Sequence, residues 1–326
     1  MDLARQLVQD DLAVIALPLF LLAVGVEAAW SQRHHRGIYR LPDTLASLSM
    51  LVASGLVEIL PRLGAVFVML YLHDISPLRD VVGRQWWAWM LLFVMDDFSY
   101  YWFHRANHAI RLLWAGHVNH HSSEYLNFAT ALRQGVGERI HKFVFWLWLP
   151  LLGFDPAMVL IMISISLFYQ FWIHTQAVER LPSWIEAVFN TPSHHRVHHA
   201  SNVRYLDRNH GGVLIIWDRL FGTFAPERDE EPVVYGLTHN IGTHSPLRVL
   251  LHEYQAIWRD LKRSSRWRDR WRYLLLAPGW SHDGKDERAV SLRRHGAAAL
   301  RQQGAAALRQ QGAAALRQQG AAALRR

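Results

Sequence analysis

The sequence predicts an all-α protein, a polytopic membrane helical bundle with a cytoplasmic, His-rich helical cap. Three observations predict it. Apolar residues make up 51% of the 326 positions and charged ones 19%, and the apolar residues gather into long runs almost free of charge. Twenty histidines occur without a single cysteine, and several recur at spacings of three and four, which share one face of a helix. The 35 basic residues flank the apolar runs instead of forming one continuous stripe, so the net charge of +8 points to membrane flanks more than to nucleic acid.

Residues 12–30 carry one charge, Glu27, in a run close to the ~20 residues that cross a ~30 Å hydrocarbon core. The run follows Asp10 and Asp11 and lacks the basic stretch that opens a signal peptide, so it reads as the first membrane helix. Arg33, Arg36 and Arg40 follow it, and the positive-inside rule places them in the cytoplasm with the N-terminus outside.

Residues 44–75 are apolar but broken at Pro61, where the missing N–H interrupts a helix, and they read as an interfacial piece leading into one kinked crossing, in preference to a tight hairpin. Residues 86–103 form another span. Residues 143–173 read as a pair of apolar helices turning at Asp155-Pro156, which returns both outer ends to one side. That parity puts every His-rich segment on the cytoplasmic face.

The segment GGVLIIWDRLFGTF is amphipathic, with a period that fits either a turn and strand or a helix. Further on, Trp258, Trp267 and Trp271 alternate with Arg259, Lys262, Arg263, Arg266, Arg268, Arg270 and Arg272. Such a segment suits a helix on an anionic membrane surface, and equally a solvated basic helix. From Gly296 the repeat GAAALRQQ advances ~80° per period on a helix, so its leucines make no stripe.

With no thiolate available, any metal must be held by nitrogen or oxygen. Three clusters offer imidazole at helical spacing: His104 and His108; His117, His120 and His121; His195, His198 and His199. Chance supplies ~0.08 occurrences of HxxHH in a chain of this composition, and the pattern occurs twice. His174, at the end of an apolar helix, can reach the same centre. His194 and His210 lie beside the last cluster without clear register to it. His34, His35, His73, His141, His239, His244, His252, His282 and His295 have no cluster geometry. Eight or nine imidazoles exceed one ion's needs, so two ions are implied, and imidazole suits iron, zinc and copper alike. Asp96, Asp97, Glu124, Glu138 and Asp218 are candidate acceptors for the other imidazole N–H groups, although Asp96 and Asp97 can equally cap an apolar segment at the interface.

The stretch DDFSYYWFHRANHAIRLLWAGHVNHHSSEYLNFATALRQG, with FWIHTQAVERLP and NTPSHHRVHHASNVRYLDRNHGGVLIIWDRLFGTF, resembles the fatty acid hydroxylase and sterol desaturase superfamily of membrane di-iron oxygenases, over roughly residues 90–225. The resemblance implies iron ligation by His104, His108, His117, His120, His121, His195, His198 and His199, with His174 as a ninth ligand. His210 stands where many relatives have an aromatic residue, and no role carries over to it.

It further implies two Fe ions, O2 as co-substrate, and hydroxylation, desaturation or oxidative cleavage of a fatty acyl, sterol or ether lipid. Two ferrous ions can reduce and split dioxygen for attack on an unactivated C–H bond, which side chains cannot do alone. No nucleotide-binding or haem-attachment motif is present, so an external donor is expected, an electron-transfer protein or a diffusible reductant, for which the resemblance suggests tetrahydrobiopterin. A His-lined metal-ion transporter is the alternative, but its sites belong at mid-membrane, whereas these clusters follow the spans.

The expected organisation is 1–84 as N-terminal membrane helices, 85–245 as the catalytic domain, 246–295 as a basic Trp-rich interfacial segment and 296–326 as a low-complexity tail. The expected home is a multi-pass place in a bacterial inner membrane, ahead of the endoplasmic reticulum. The expected partners are a membrane lipid and the electron donor, with no nucleic acid.

Overall fold

The computed structural model describes residues 16–296, so the start of the first apolar run and nearly all of the repeat tail lie outside the described residues. Among the described residues regular structure is helical, and pairing is limited to three isolated bridges, such as Phe189 with Leu214.

Helix α1 spans Leu17–Arg33, with a proline in its first turn, where a missing N–H costs nothing. It buries Phe20, Val24, Glu27 and Ser31, one face at spacings of four, three and four. The single charge of the run therefore turns inward. Glu27 accepts hydrogen bonds from the Tyr39 hydroxyl at 2.6 Å, the Phe128 N–H at 2.8 Å and the Thr175 hydroxyl. It ties α1 to two segments beside the histidines.

Helices α2 (Leu41–Val57) and α3 (Ile59–Asp74) meet at Glu58 with a bend of 51°. Pro61 accounts for the break, because it has no N–H for the carbonyl of Val57. No single described helix is long and apolar enough to cross a membrane, but α2 and α3 pass that test together as a bent pair.

Helix α4 spans Trp86–Ala109, about 36 Å at ~1.5 Å per residue. Leu92, Asp96, Ser99, Phe103 and His104 are among its buried residues, so the stripe that packs in the core runs on into the histidines. After a break at Ile110 the chain re-enters α5, Arg111–His121. The short α6 (Phe128–Ala131) is closed by a capping box in which Asn127 accepts from Thr130 N–H.

A short α7 (Glu138–Lys142) leads into the segment expected to pair with the next helix, and here the structure differs. Residues Phe143–Trp146 form a 3₁₀ turn and Trp148–Leu151 a single α-turn, α8. Pro150 withholds its N–H from the carbonyl of Trp146. The indole N–H of Trp146 is held by Asp96 at 2.7 Å, and that of Trp148 by Ser99 Oγ and the Phe145 carbonyl, both at 2.9 Å. Only the second arm, α9 (Pro156–Trp172), is a long helix, capped by Asp155 accepting from Ala157 N–H at 2.8 Å. Crossings cannot be counted from a two-armed hairpin that is not there.

The main core joins Val66 and Met69 of α3, Leu92 and Phe103 of α4, Trp146 and Leu149 of the short arm, and Met158 and Val159 of α9. A second cluster packs Phe20 and Val24 against Ala129, Leu132 and Phe171.

Beyond α9 the chain is mostly loop, with α10 (Ser183–Val188), α11 (Pro192–His198) and α12 (Ile216–Leu220). GGVLIIWDRLFGTF is thus a turn, one bridge at Leu214 and a short helix. Helices α13 (Pro246–Arg263) and α14 (Trp267–Leu275) follow. Val249 and Leu250 of α13 pack on Ala46 and Met50 of α2. Arg111, at the start of α5, reaches Glu253 and Asp260 of α13, both at 2.7 Å. The basic, Trp-rich segment therefore buttresses the helix that carries His117, His120 and His121.

Candidate metal centre

The structure brings all nine singled-out histidines together, in two sets. His104, His108, His117, His121 and His198 form one, and His120, His174, His195 and His199 the other. Within each set the candidate ligand atoms lie within 4.8 Å of one another. His194 and His210 belong to neither, and the nine histidines without cluster geometry also lie outside both.

Helical spacing explains the division. On α5, His117 and His121 are four apart and serve the first set, while His120, three on from His117, faces the second. On α11 the pattern is reversed: His195 and His199 serve the second set and His198 the first. The last helical turns of α5 and α11 thus each reach both sets, α4 supplies His104 and His108, and the end of α9 supplies His174. Close approach is built in at Gly135, where a Cβ would sit 1.7 Å from the carbonyl oxygen of Gly116.

The imidazoles face one another through Nε2. The contacts are 3.1 Å for His104 with His117, 3.2 Å for His117 with His121, 3.1 Å for His120 with His174, 2.8 Å for His174 with His195 and 3.1 Å for His195 with His199. Several of the opposite nitrogens are already committed. His104 Nδ1 lies 2.9 Å from the His210 carbonyl, His198 Nδ1 2.9 Å from the Arg208 carbonyl, and His174 Nδ1 2.6 Å from the Gln170 carbonyl. A carbonyl only accepts, so in these rings Nδ1 carries the proton and Nε2 presents a bare lone pair.

Burial acts in the same direction. It pushes His120, His121, His195, His198 and His199 well below the ordinary imidazole value, with neighbouring imidazoles adding to the effect, so each is neutral near pH 7. Nε2 of His108 and of His198 has no hydrogen-bond partner. Lone pairs converging at ~3 Å repel unless a cation sits between them, and ~3 Å is the ligand separation expected around an ion bound at ~2.1 Å. The residues therefore fit two metal ions.

The surrounding acceptors only partly match the sequence expectation. Glu138 Oε2 stands 3.4 Å from His117 Nδ1. Asp96 is held by Trp146, and Asp97 accepts from Val213 N–H, Leu214 N–H and the Trp217 indole. Glu124 is exposed. Asp218 accepts the N–H groups of His210 and Gly211 at 2.8 and 2.7 Å. The acceptor that sequence reasoning missed is Asp207, 3.3 Å from His108 Nδ1. Asp207 and Asn209 both adopt left-handed backbone, with φ of 50° and 56°. Such conformations cost roughly 1–3 kcal/mol in most side-chain-bearing residues and persist where surrounding bonds enforce them.

Two cavities border the sets. One of ≈ 440 Å³ is lined by Phe20, Leu51, Leu132, Leu160, Ile163 and Phe171 and reaches His117, His120, His174 and His195. The other, of ≈ 290 Å³, reaches His108, His121 and His198 among polar groups that include Asp207, His239 and Glu253.

Residues 89–223, the span that holds all nine histidines, match the fatty acid hydroxylase family. Among similar proteins are the alkylglycerol monooxygenases of Danio rerio, 41% identical over 82% of this chain and 59% of the relative, and of Homo sapiens, 40% identical over 74% and 53%. Ornithine lipid hydroxylase OlsE of Rhizobium tropici is 27% identical over 66% of this chain and 65% of its own. The chain thus spans less than two thirds of the length of these relatives. No solved structure matches it.

Proposed function

We propose that the chain is an integral membrane di-iron oxygenase that uses O2 to oxidise an unactivated C–H bond of a lipid. The observation that carries this reading is the pair of convergent imidazole sets bordering an apolar cavity. His104, His108, His117, His121 and His198 hold one iron, and His120, His174, His195 and His199 the other. When bound, the two ferrous ions supply the reduction of dioxygen that no side chain provides.

The chain's own residues do the rest. Phe20, Leu132, Ile163 and Phe171 receive the alkyl chain and exclude water beside the second set. Gln134, Glu138 and Gln170, also in the cavity lining, orient polar atoms near the reacting carbon. The favoured substrate is an ether lipid of the alkylglycerol kind, because identity is 40–41% to the two alkylglycerol monooxygenases above against 27% to the ornithine lipid hydroxylase. Electrons come from a separate donor, tetrahydrobiopterin or an electron-transfer protein.

Membrane residence is supported by large apolar side chains left exposed on the helices: Leu22 and Val26 of α1, Val52 and Leu56 of α2, Leu60 of α3, and Trp86 and Met90 of α4. Water tolerates few such patches. The reading places the centre on the cytoplasmic side of a bacterial inner membrane, beside Arg33, Arg36 and Arg40.

The test is mass spectrometry of the iron-loaded protein given ¹⁸O2, a tetrahydropterin or a reduced electron-transfer protein, and in parallel an alkylglycerol, a fatty acyl lipid and a sterol. The expected result is label incorporated during alkylglycerol oxidation. Label only in another lipid would redirect the substrate assignment, and no label in any would refute the oxygenase.

A further inference from the structure

The two sets are held very differently. In the five-histidine set a single loop, residues 207–210, meets three of the imidazoles: the Asp207 carboxylate faces His108, the Arg208 carbonyl faces His198 and the His210 carbonyl faces His104. Glu138 meets a fourth, His117. The loop is pinned in turn. Asp218, fully buried, accepts both the His210 and Gly211 N–H groups. Asn209, also fully buried, donates to the carbonyls of His194 and Ala225 and accepts from the Ala225 N–H.

In the four-histidine set His174 is held in this way, by the carbonyl of Gln170 one turn back on its own helix, while the Arg133 backbone lies near His120 without closing a hydrogen bond at Nδ1. His120 and His195 have no hydrogen-bond partner at Nδ1. This is also the set that the apolar cavity reaches most fully.

We infer that the loop 207–210, clamped by Asp218 and Asn209, is a brace that makes the five-histidine site the tighter of two unequal metal sites and leaves the four-histidine site as the exchangeable one that the lipid approaches. An imidazole already rotated into place, with its proton fixed on Nδ1, loses less freedom on binding an ion, and an acceptor at Nδ1 makes Nε2 the better donor. The cavity beside the other set leaves room for a second molecule at its ion. Asp218 is on this account a positioning residue, two hydrogen bonds and a carbonyl away from His104. The inference rests on the di-iron reading above.

The test is anaerobic chelator challenge of the iron-loaded protein, following iron released per chain against time. The wild-type chain is expected to release its ions in two phases, the slow one ~10-fold or more slower. His195→Ala should abolish the fast phase. Asp218→Asn, which keeps one acceptor of two, should speed the slow phase ~10- to 100-fold and leave the fast phase unchanged. Should that variant not fold, Asn209→Gly retains the left-handed backbone, deletes the clamp and reads the same quantity. Release of both ions in one phase by the wild-type chain, equal acceleration of both phases, or no acceleration in either variant would overturn the inference. A wild-type chain that holds no iron would instead refute the di-iron reading itself.

Discussion

The two sides of the centre were built from the same residue type and are nevertheless unlike. On one side four of five imidazoles face a backbone carbonyl or a carboxylate, three of them from one loop, next to a polar cavity. On the other, four imidazoles stand with few outside partners, next to an apolar one. The histidines alone do not make the difference, since α5 and α11 each contribute to both sides. What distinguishes the sides is what lies behind each ring. Holding an ion and presenting it to a substrate are different tasks, and on the proposed reading the surroundings divide them between the sets.

The most disruptive change should be the loss of a ring from either set. His195→Ala is expected to reduce turnover by at least ~100-fold and to lower iron content, because it removes a donor where second partners alone are worth 10–100-fold. His282→Ala, whose ring is held by Tyr273 at 2.6 Å outside both sets, should change neither. Equal losses in turnover and elemental analysis would erase the distinction between clustered and unclustered histidines.

A smaller effect separates packing from ligation. Gly135→Ala puts a methyl into the Gly116 carbonyl and should cost about 1–3 kcal/mol of stability, read as a lowered melting temperature, together with partial loss of metal. Ile163→Trp narrows the apolar cavity and should raise KM for the lipid by ~10-fold with iron content unchanged. Lost iron in that variant would mean that the cavity wall and the ligands are not separable.

Acid should act on the metal-free chain in a defined direction. Burial pushes His174 down from its ordinary 6.5 to about 4, so it is neutral when folded and takes up a proton when unfolded. Its contribution is present above pH 6.5 and is lost as pH falls toward 4. His120, His121, His195, His198 and His199 shift the same way and add to the loss. Denaturant midpoints that stay level across this window would contradict the burial. The smallest effect belongs to the repeat tail, beyond the described residues. It holds no histidine after His295 and no carboxylate side chain, so its deletion from residue 297 should leave iron content and turnover intact.

Much of the centre was legible in the sequence, because spacings of three and four turn directly into a shared helical face. That signal carried His104 with His108 and the two HxxHH runs. It could not say that His120 would leave its neighbours for His174, because that depends on how α5 meets α9 and α11. The brace was illegible for a simpler reason: Arg208 and His210 act through their carbonyls, and every residue has one. The kink between α2 and α3 was announced by Pro61. Pro150 offered the same signal in the arm at 143–151, but the apolarity of that stretch fits a long helix as well as two short turns pinned by Trp146 and Trp148.

The central claim is that two ions sit in two separate imidazole sets, and anomalous scattering at the iron edge from crystals of the iron-loaded protein tests it most directly. The account predicts two peaks, one ~2.1 Å from nitrogens among His104, His108, His117, His121 and His198, the other at that distance from nitrogens among His120, His174, His195 and His199. A single shared peak, or iron bound away from these rings, would contradict it.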